Sequence, residues 1–376
     1  MNFPHLPFLQ GGSVQLPQMA NNQAPVSQPL TGIRQQVAMH SGQNRQLHAM
    51  SGLAPPQGGP PGNGHPIGPP QMVPGMIQNN NTTNSHTAPP IIKEVWAHNL
   101  ELEFALLRSF IKDPQSQIFI SVHEEIPGIV ARPVGTFKLS LDYHFQTLRS
   151  NSDLLSLIQL SLCIIKMKPQ GEILVPEGPS VIFQFNFHFD LQNEMYNEEH
   201  LAMLAQTAQI KFPLHLQQGI KHLSFAELAI ELGLLLDPSI SWILYHAGYD
   251  LGFLVRMLVN DALPFEEKDF SWWCGTYFPS FYDLKNMGNA LLKLGEKSTK
   301  PSIEYLAEEL HLLPILPIIR QYFLHGYPGQ AQMTLALHAY LAMECFKELL
   351  KKTGSEWKNV LATLKGAVWG LGGGTA

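Results

Sequence analysis

Between Val181 and Asp190 apolar and polar side chains alternate without a break: Phe183, Phe185, Phe187 and Phe189 fall on one side, Gln184, Asn186 and His188 on the other. Successive side chains of a strand point to opposite faces, so this period of two predicts a strand over 181–190. Its polar side predicts an antiparallel partner. A second strand is predicted from Phe119 to Glu125. Phe119, Ile120 and Val122 give it a buried character, and Pro127-Gly128 ends it abruptly. Leu157 to Ile165 suits a central strand, Ser241 to His246 a short buried one, and Phe281 to Leu284 a brief strand or helix entry. Apolar residues at helical spacing predict helices over 92–112, 198–208, 225–236, 249–260, 266–276, 302–312 and 330–351. Residues 138–153 mix polar and aromatic side chains and predict no element. Strands come mostly first and helices follow, so the expected fold class is α/β with α+β character: one mixed central sheet surrounded by helices.

Composition changes this picture at the N-terminus. Residues 1–90 hold no Asp, Glu or Lys and two basic residues, Arg34 and Arg45; Gln, Asn, Pro, Gly, Ser and Met crowd the rest. Such a segment has too little periodic apolar surface to offset the entropy of ordering it, and a disordered tail is predicted there. An ordered domain is expected over 91–352, with 353–376 as its C-terminal extension. The N-terminus lacks the basic start and apolar core of a signal peptide, and no run of 18 apolar residues occurs, so a soluble intracellular protein with no membrane partner is expected.

The whole chain has a net charge of −6, and without the tail's two arginines the remainder stands at −8. An acidic surface repels phosphate at long range, which excludes a general nucleic-acid binder. Any polyanion must be drawn by a local patch or by metal ions. Cys163, Cys274 and Cys345 are far apart in apolar contexts and fit neither a zinc pattern nor a disulfide framework, so buried thiols in a reducing compartment are expected.

Candidate chemistry gathers at strand ends. Ser121, His123 and Glu125 share one face of the predicted strand, and Val122 and Glu124 the other. His123 and Glu125, two residues apart at the exit of a core strand, form half a metal site. His123-Glu124 resembles the start of the zinc-protease motif HExxH, but Pro127 stands where the second His would be and would break the helix. Asp250 opens a helix after Tyr245-His246-Ala247-Gly248-Tyr249, where free N–H groups and the dipole favour a carboxylate. Asp283 follows Phe281-Tyr282, and His325-Gly326-Tyr327-Pro328-Gly329-Gln330 precedes the last long helix.

The segments ISVHEEIPGIVARPVGTF, LDYHFQTLRSNSDLL, FQFNFHFDL, WILYHAGYDLGFLVRML and YFPSFYDLKNM together resemble the Caf-type, or Pop-type, deadenylases of the Ccr-Not complex. The resemblance runs from Ile91 to near Leu350. It implies an RNase-H-like fold of the DEDD exonuclease superfamily and poly(A)-specific 3′–5′ exoribonuclease activity on messenger-RNA tails. In that chemistry two divalent ions sit on carboxylates, one activating water and one stabilising the leaving 3′ oxygen. Carried over by position, the ligand set is His123 in place of an Asp, Glu125, Asp250, Asp283, and Gln330 in place of the final Asp. Glu125, Asp250, Asp283 and His325 take the catalytic roles, with His325 acting on the water. Magnesium or manganese is the expected cofactor. Imidazole at His123 also admits a softer ion such as zinc.

Two functions follow from the resemblance. One is a deadenylase weakened by its two substituted acids. The other is an inactive pseudo-nuclease that bridges the Not scaffold to the Ccr nuclease through the latter's leucine-rich repeats. Expected partners are the Not scaffold, the Ccr nuclease and poly(A) RNA, in the cytoplasm and also the nucleus. The apolar helix from Phe225 to Leu236 is the expected partner surface, with Ile230 as its test position.

Overall fold

The computed structural model describes residues 89–292, 302–313 and 333–372. The predicted tail up to residue 88 lies outside them, as do His325 and Gln330. In chain order the elements begin with β1 (Ile91–Val95), α1 (Leu100–Ile111), β2 (Gln117–Glu125), α2 (Ser140–Leu154), β3 (Gln159–Gln170), β4 (Ile173–Pro176) and β5 (Val181–Asn186). Next come α3 (Glu198–Thr207), α4 (Phe212–Gln218), α5 (His222–Glu231), β6 (Ile240–Leu244), α6 (Gly248–Val259) and α7 (Glu267–Tyr277). The last are β7 (Phe281–Asp283), α8 (Leu284–Leu292), α9 (Ile303–Glu309), α10 (Met333–Thr353) and α11 (Trp357–Leu364). No described helix is long and apolar enough to cross a membrane.

The strands form one mixed seven-stranded sheet in the order β1-β5-β3-β2-β6-β7, with β4 added to β3. β2 lies at its centre, antiparallel to β3 and parallel to β6. The alternation of β2 sorts its side chains into two cores. Ile118, Ile120 and Val122 join the cluster that holds Phe145 of α2 and Leu251 and Leu254 of α6. Phe119 joins the cluster on the other face, against Phe346 of α10 with ring centroids 5.0 Å apart. The hydroxyl of Ser121 donates to the carbonyl of Ala339 at 2.6 Å, fixing α10 across the strand. Helices therefore cover both faces of the sheet, as the mixed α/β expectation requires.

Three expectations are corrected. The predicted helix 92–112 splits: β-branched Ile91, Ile92 and Val95 form edge strand β1, parallel to β5, and α1 starts at Leu100. The Asn99 side chain makes the break by accepting from Trp96 N at 2.7 Å and donating to the Glu94 carbonyl at 3.0 Å. Residues 140–154, read as no element, form α2. Its buried face carries Phe145 and Leu148 but also Asn151, whose amide bonds Val130 N, Ala131 N, Ala131 O and Thr147 O, so the apolar stripe is broken by a satisfied polar group. The strand predicted over 181–190 has its antiparallel partner, β3, but ends at Asn186, and its polar side chains Gln184 and Asn186 are buried. Gln159 Nε2 donates to Asn186 Oδ1 at 2.6 Å, and Asn186 Nδ2 to the Val95 carbonyl at 3.1 Å.

Beyond the sheet, Phe187 makes a parallel bridge to Ile220, and fully buried His215 on α4 bonds the Phe187 carbonyl through Nδ1 at 2.8 Å. Burial pushes this imidazole down from 6.5 to about 4, while the bond to the carbonyl opposes the shift. A folded-state value below the unfolded one gives stability that is fully present above the unfolded value and is lost as pH falls. Between pH 7 and pH 5 His215 is therefore expected to remove about 2 kcal/mol of stability. Denaturant unfolding at the two pH values checks this: the loss should shrink by that amount in His215→Leu, and an equal loss in both proteins would contradict it.

Candidate functional site

The parallel pairing of β2 with β6 runs from Ile118↔Ile240 to Ser121↔Ile243, and β6 ends at Leu244. From about His123 onward β2 continues beside β3 alone, while the chain leaving β6 turns into α6. A crevice opens past the end of β6, the position where open α/β sheets bind ligands. It forms a cleft of about 330 Å³ lined by His123, Glu124, His246, Asp250, Glu304 and His338, among others.

On the α10 side of β2, His123 Nε2 lies 3.1 Å from Glu125 Oε1. The His123 ring stands 4.7 Å from that of His338, centroid to centroid. One ligand atom from each of His123, Glu125 and His338 lies within 4.8 Å of the others, and no other three such side chains among the described residues do this. His338 Nε2 bonds Glu304 Oε1 at 2.8 Å, and this bond holds the Glu304 carboxyl down at about 2. His338 was missed by the sequence reading. Its signal was a lone imidazole inside the apolar run Leu335-Ala336-Leu337-His338-Ala339-Tyr340-Leu341.

On the α6 side, Glu124 and Asp250 face the same cleft. Glu124 is 8% exposed, and neither of its carboxylate oxygens has a hydrogen-bond partner. Burial first, and Asp250 second, push its carboxyl well above the usual carboxylate range. Asp250 is raised in the same way by burial, then by the charges of Asp283 and Glu125. The sequence reading placed Glu124 away from His123, on the opposite face of the strand. Its side chain does leave on that face, but because β6 stops short the cleft reaches both faces of the strand end.

Asp283 has a different position. It is 1% exposed, and its two oxygens accept four main-chain N–H groups. Oδ1 takes His246 N at 3.0 Å and Lys285 N at 2.9 Å; Oδ2 takes Ala247 N and Trp369 N, each at 3.0 Å. The bonds to His246 and Ala247 brace the β6–α6 turn, where His246 is held at φ +59°. That conformation is costly for a residue with a Cβ and persists only when its surroundings fix it. The carboxylate proposed as a ligand thus has its lone pairs occupied by backbone. Ile230 on α5 is 40% exposed, whereas Phe225, Ala226 and Ala229 of the same helix are buried.

A hard two-ion centre needs a cluster of oxygen donors. Among the described residues the donor atoms within 4.8 Å of one another are two imidazoles and one carboxylate, and the carboxylates of Glu124 and Asp250 face the same cleft.

No protein-family model matches the chain. Over 216 residues it is 39% identical to poly(A) ribonuclease POP2 of Saccharomyces cerevisiae, covering 57% of this chain and 46% of that protein. It is 38% identical over 197 residues to probable CCR4-associated factor 1 homolog 7 of Arabidopsis thaliana, covering 52% of this chain and 70% of the plant protein. The match thus spans about half the length of the Saccharomyces relative. Among solved structures, Pop2p of S. pombe in its Mg2+- and Mn2+-bound form superposes with a TM-score of 0.59 at 31% identity, covering 74% of this chain and 99% of that one. CAF1 co-crystallised with the yeast NOT1 MIF4G domain gives a TM-score of 0.54 at 31% identity, over 74% of this chain and 96% of the solved one. Sequence identity and superposition at this level agree: the chain belongs to the Caf1/Pop2 family of poly(A) ribonucleases.

Proposed function

We propose that the chain is a deadenylase-type subunit of a Ccr-Not complex, docking on a Not scaffold and joining it to a Ccr nuclease, with weak poly(A) 3′–5′ exoribonuclease activity of its own. The observation that carries the reading is the donor set of the cleft. His123 stands where the resemblance expects an Asp, Asp283 is engaged by four N–H groups, and the donors within 4.8 Å of one another are His123, Glu125 and His338. Docking needs only a surface, and the likeness to a CAF1 that was crystallised with NOT1 MIF4G supports it. Hydrolysis supported by magnesium needs hard oxygen ligands, which this set supplies sparingly. Action in the cytoplasm, with a nuclear pool, belongs to the same proposal.

The test combines two measurements on the purified full chain. In the first, an A-tailed RNA oligonucleotide is digested in magnesium and then in manganese. Trimming is expected to be about 10- to 100-fold slower than by the double variant His123→Asp with Gln330→Asp. Equal rates would overturn the weak-activity reading, and no trimming in either metal would leave only the docking role. The second is co-purification with a Not MIF4G domain, whose failure would overturn the subunit reading. Ile230, exposed as are Leu223 and Leu236 at 49% each, is the proposed contact. A folded Ile230→Lys protein that binds the domain unchanged removes that position from the interface.

A further inference from the structure

We propose that Phe137, Tyr143 and Tyr249, with Arg132 and Lys138 of the loop between β2 and α2, form a shelf that stacks the bases of single-stranded adenine-rich RNA where the strand leaves the cleft. The proposal rests on the poly(A) reading for its ligand, and it assigns the strand to residues outside the ligand set named above.

The loop is held at two points. Asn151 on α2 accepts from Val130 N and Ala131 N, each at 2.9 Å, and donates to the Ala131 carbonyl at 2.8 Å. Asp142 Oδ2, in the first turn of α2, accepts from Leu139 N at 3.3 Å. Between these anchors Arg132 and Lys138 are exposed. Phe137 meets Tyr143 edge to face, with ring centroids 5.3 Å apart. Both rings are half-buried, packed enough to be held in place and open enough to be touched. The asparagine that interrupts the apolar face of α2 thus sets the path of this loop.

Close packing of α2 on α6 carries the two rings to the cleft. A Cβ on Gly248 would meet Leu148 Cδ1 at 3.1 Å, and one on Gly252 would meet Leu148 Cδ2 at 2.8 Å and Ser152 Oγ at 2.7 Å, so only glycine admits α2 this near. Leu148 against Gly248 and Ser152 against Gly252 set the helices side by side in the same direction. Tyr143, more than a turn before Leu148, therefore lies toward the N-terminal end of α6. There Tyr249, half-buried, lines the cleft. Burial first, and Tyr143 second, raise the Tyr249 hydroxyl, as expected of neighbouring rings.

Charge and chemistry then select the occupant. The chain carries a net charge of −6, which repels a polyanion at long range, so a strand needs local cations to settle. Arg132 and Lys138 supply them beside the rings, with exposed His144 next to Tyr143, ring centroids 6.0 Å apart. Asp142, an acid on the same turn, is engaged by Leu139 N. Aromatic platforms flanked by cations suit a single strand, because every base offers a π-face to stack and every nucleotide a phosphate. A 3′ end in the cleft leaves the rest of the strand to run outward, and the shelf begins at Tyr249 in the cleft wall. Preference for adenine follows from its stronger stacking, without readout of base edges.

The experiment measures binding of fluorescein-labelled oligoadenylate and oligouridylate, each of about fifteen nucleotides, to the full chain by anisotropy. Chelator is present, so that no strand is trimmed. Oligoadenylate is expected to bind more tightly than oligouridylate. Tyr143→Ala should weaken its binding by about 5- to 100-fold, while Tyr143→Phe, which keeps the ring, should not. Arg132→Ala with Lys138→Ala should weaken both RNAs and lower the slope of log affinity against log salt by about 1.4, the share of two phosphate contacts. These two side chains are exposed, so the loop variant decides where Tyr143→Ala loses its fold by circular dichroism. No binding by the unaltered chain, unchanged affinity in folded Tyr143→Ala, an equal loss in Tyr143→Phe, or an unchanged salt slope in the loop variant would each overturn the proposal. Trimming assays in magnesium or manganese separate it from the functional reading. A chain that binds through the shelf and trims nothing leaves the shelf standing, and shelf variants that bind and trim at the unaltered rate remove the shelf while the activity stands.

Discussion

Replacing Asp283 with alanine is expected to lower the unfolding free energy by about 3–5 kcal/mol, although the residue sits in a three-residue strand near the edge of the sheet. The reason lies in what its oxygens hold. Four N–H groups from the β6–α6 turn, the start of α8 and the C-terminal segment converge on one buried carboxylate. Removing it leaves four donors without an acceptor, two buried and two part-buried, and a fully isolated donor costs about 1–3 kcal/mol. Water entering the gap keeps the total below the sum. Asp283→Asn should be only slightly milder, because its NH2 group would face two N–H donors. The losses spread along the chain: His246 is released from a left-handed conformation, the turn that carries Asp250 loosens, and Trp369, whose ring lies 5.0 Å from Lys285 Nζ, loses its anchor. Denaturant melts of both variants measure the effect as a shift in midpoint with an unchanged slope. A loss below about 1 kcal/mol together with abolished metal binding would reverse the assignment and make Asp283 a ligand.

That contrast shows where sequence reading stops. A Tyr-Asp pair after a buried run marks an acid at a strand end, and both the strand and the buried acid are present. Whether the acid faces metal or backbone depends on residues 246, 247, 285 and 369, which no local pattern brings together. Much of the rest was legible because its signal is periodic. The apolar run of β2 and the helical spacing of α3, α6 and α7 each report a buried face directly. α2 was not legible, because Asn151 sits on its buried face and is paid for by four hydrogen bonds rather than by apolar contact. The polar side of β5 predicted its antiparallel partner but not its burial: Gln184 and Asn186 are both buried.

The cleft divides along the same line. His123 and Glu125 share a face by strand alternation, as predicted, and they meet at 3.1 Å. Glu124 was set aside by the same rule, which describes a strand with neighbours on both sides. It does not anticipate a neighbour that ends early. His338 lies more than two hundred residues further along the chain in an apolar helix, and only the packing of α10 across Ser121 and Phe119 brings it over the end of β2.

Gly219→Ala is expected to destabilise the fold by about 3 kcal/mol or more, with no strained dihedral involved. Gly219 ends α4 with φ −64° and ψ 147°, values that any residue adopts. The constraint is space. A Cβ there would meet the carbonyl oxygen of His215 and the main-chain N and Cα of His188, all closer than van der Waals contact allows. None of these is the movable end of a side chain. Relief therefore requires shifting either α4 or the chain that leaves β5, and the two are bonded together: Ile220 N donates to the Asn186 carbonyl and His188 N to the Ile220 carbonyl, each at 2.8 Å, while Gly219 N closes α4 on the His215 carbonyl at 3.1 Å. Moving them apart also withdraws the carbonyl of Phe187 from His215, whose imidazole is buried on the strength of that bond. Thermal and denaturant melts of Gly219→Ala beside Gly275→Ala, where a Cβ would meet nothing within 4 Å, isolate the steric effect from the loss of glycine itself. Because Gly275 lies inside α7, its alanine variant should be neutral or up to about 1 kcal/mol more stable. Equal effects at the two sites would show that the close approach of α4 to the end of β5 carries no weight in the fold.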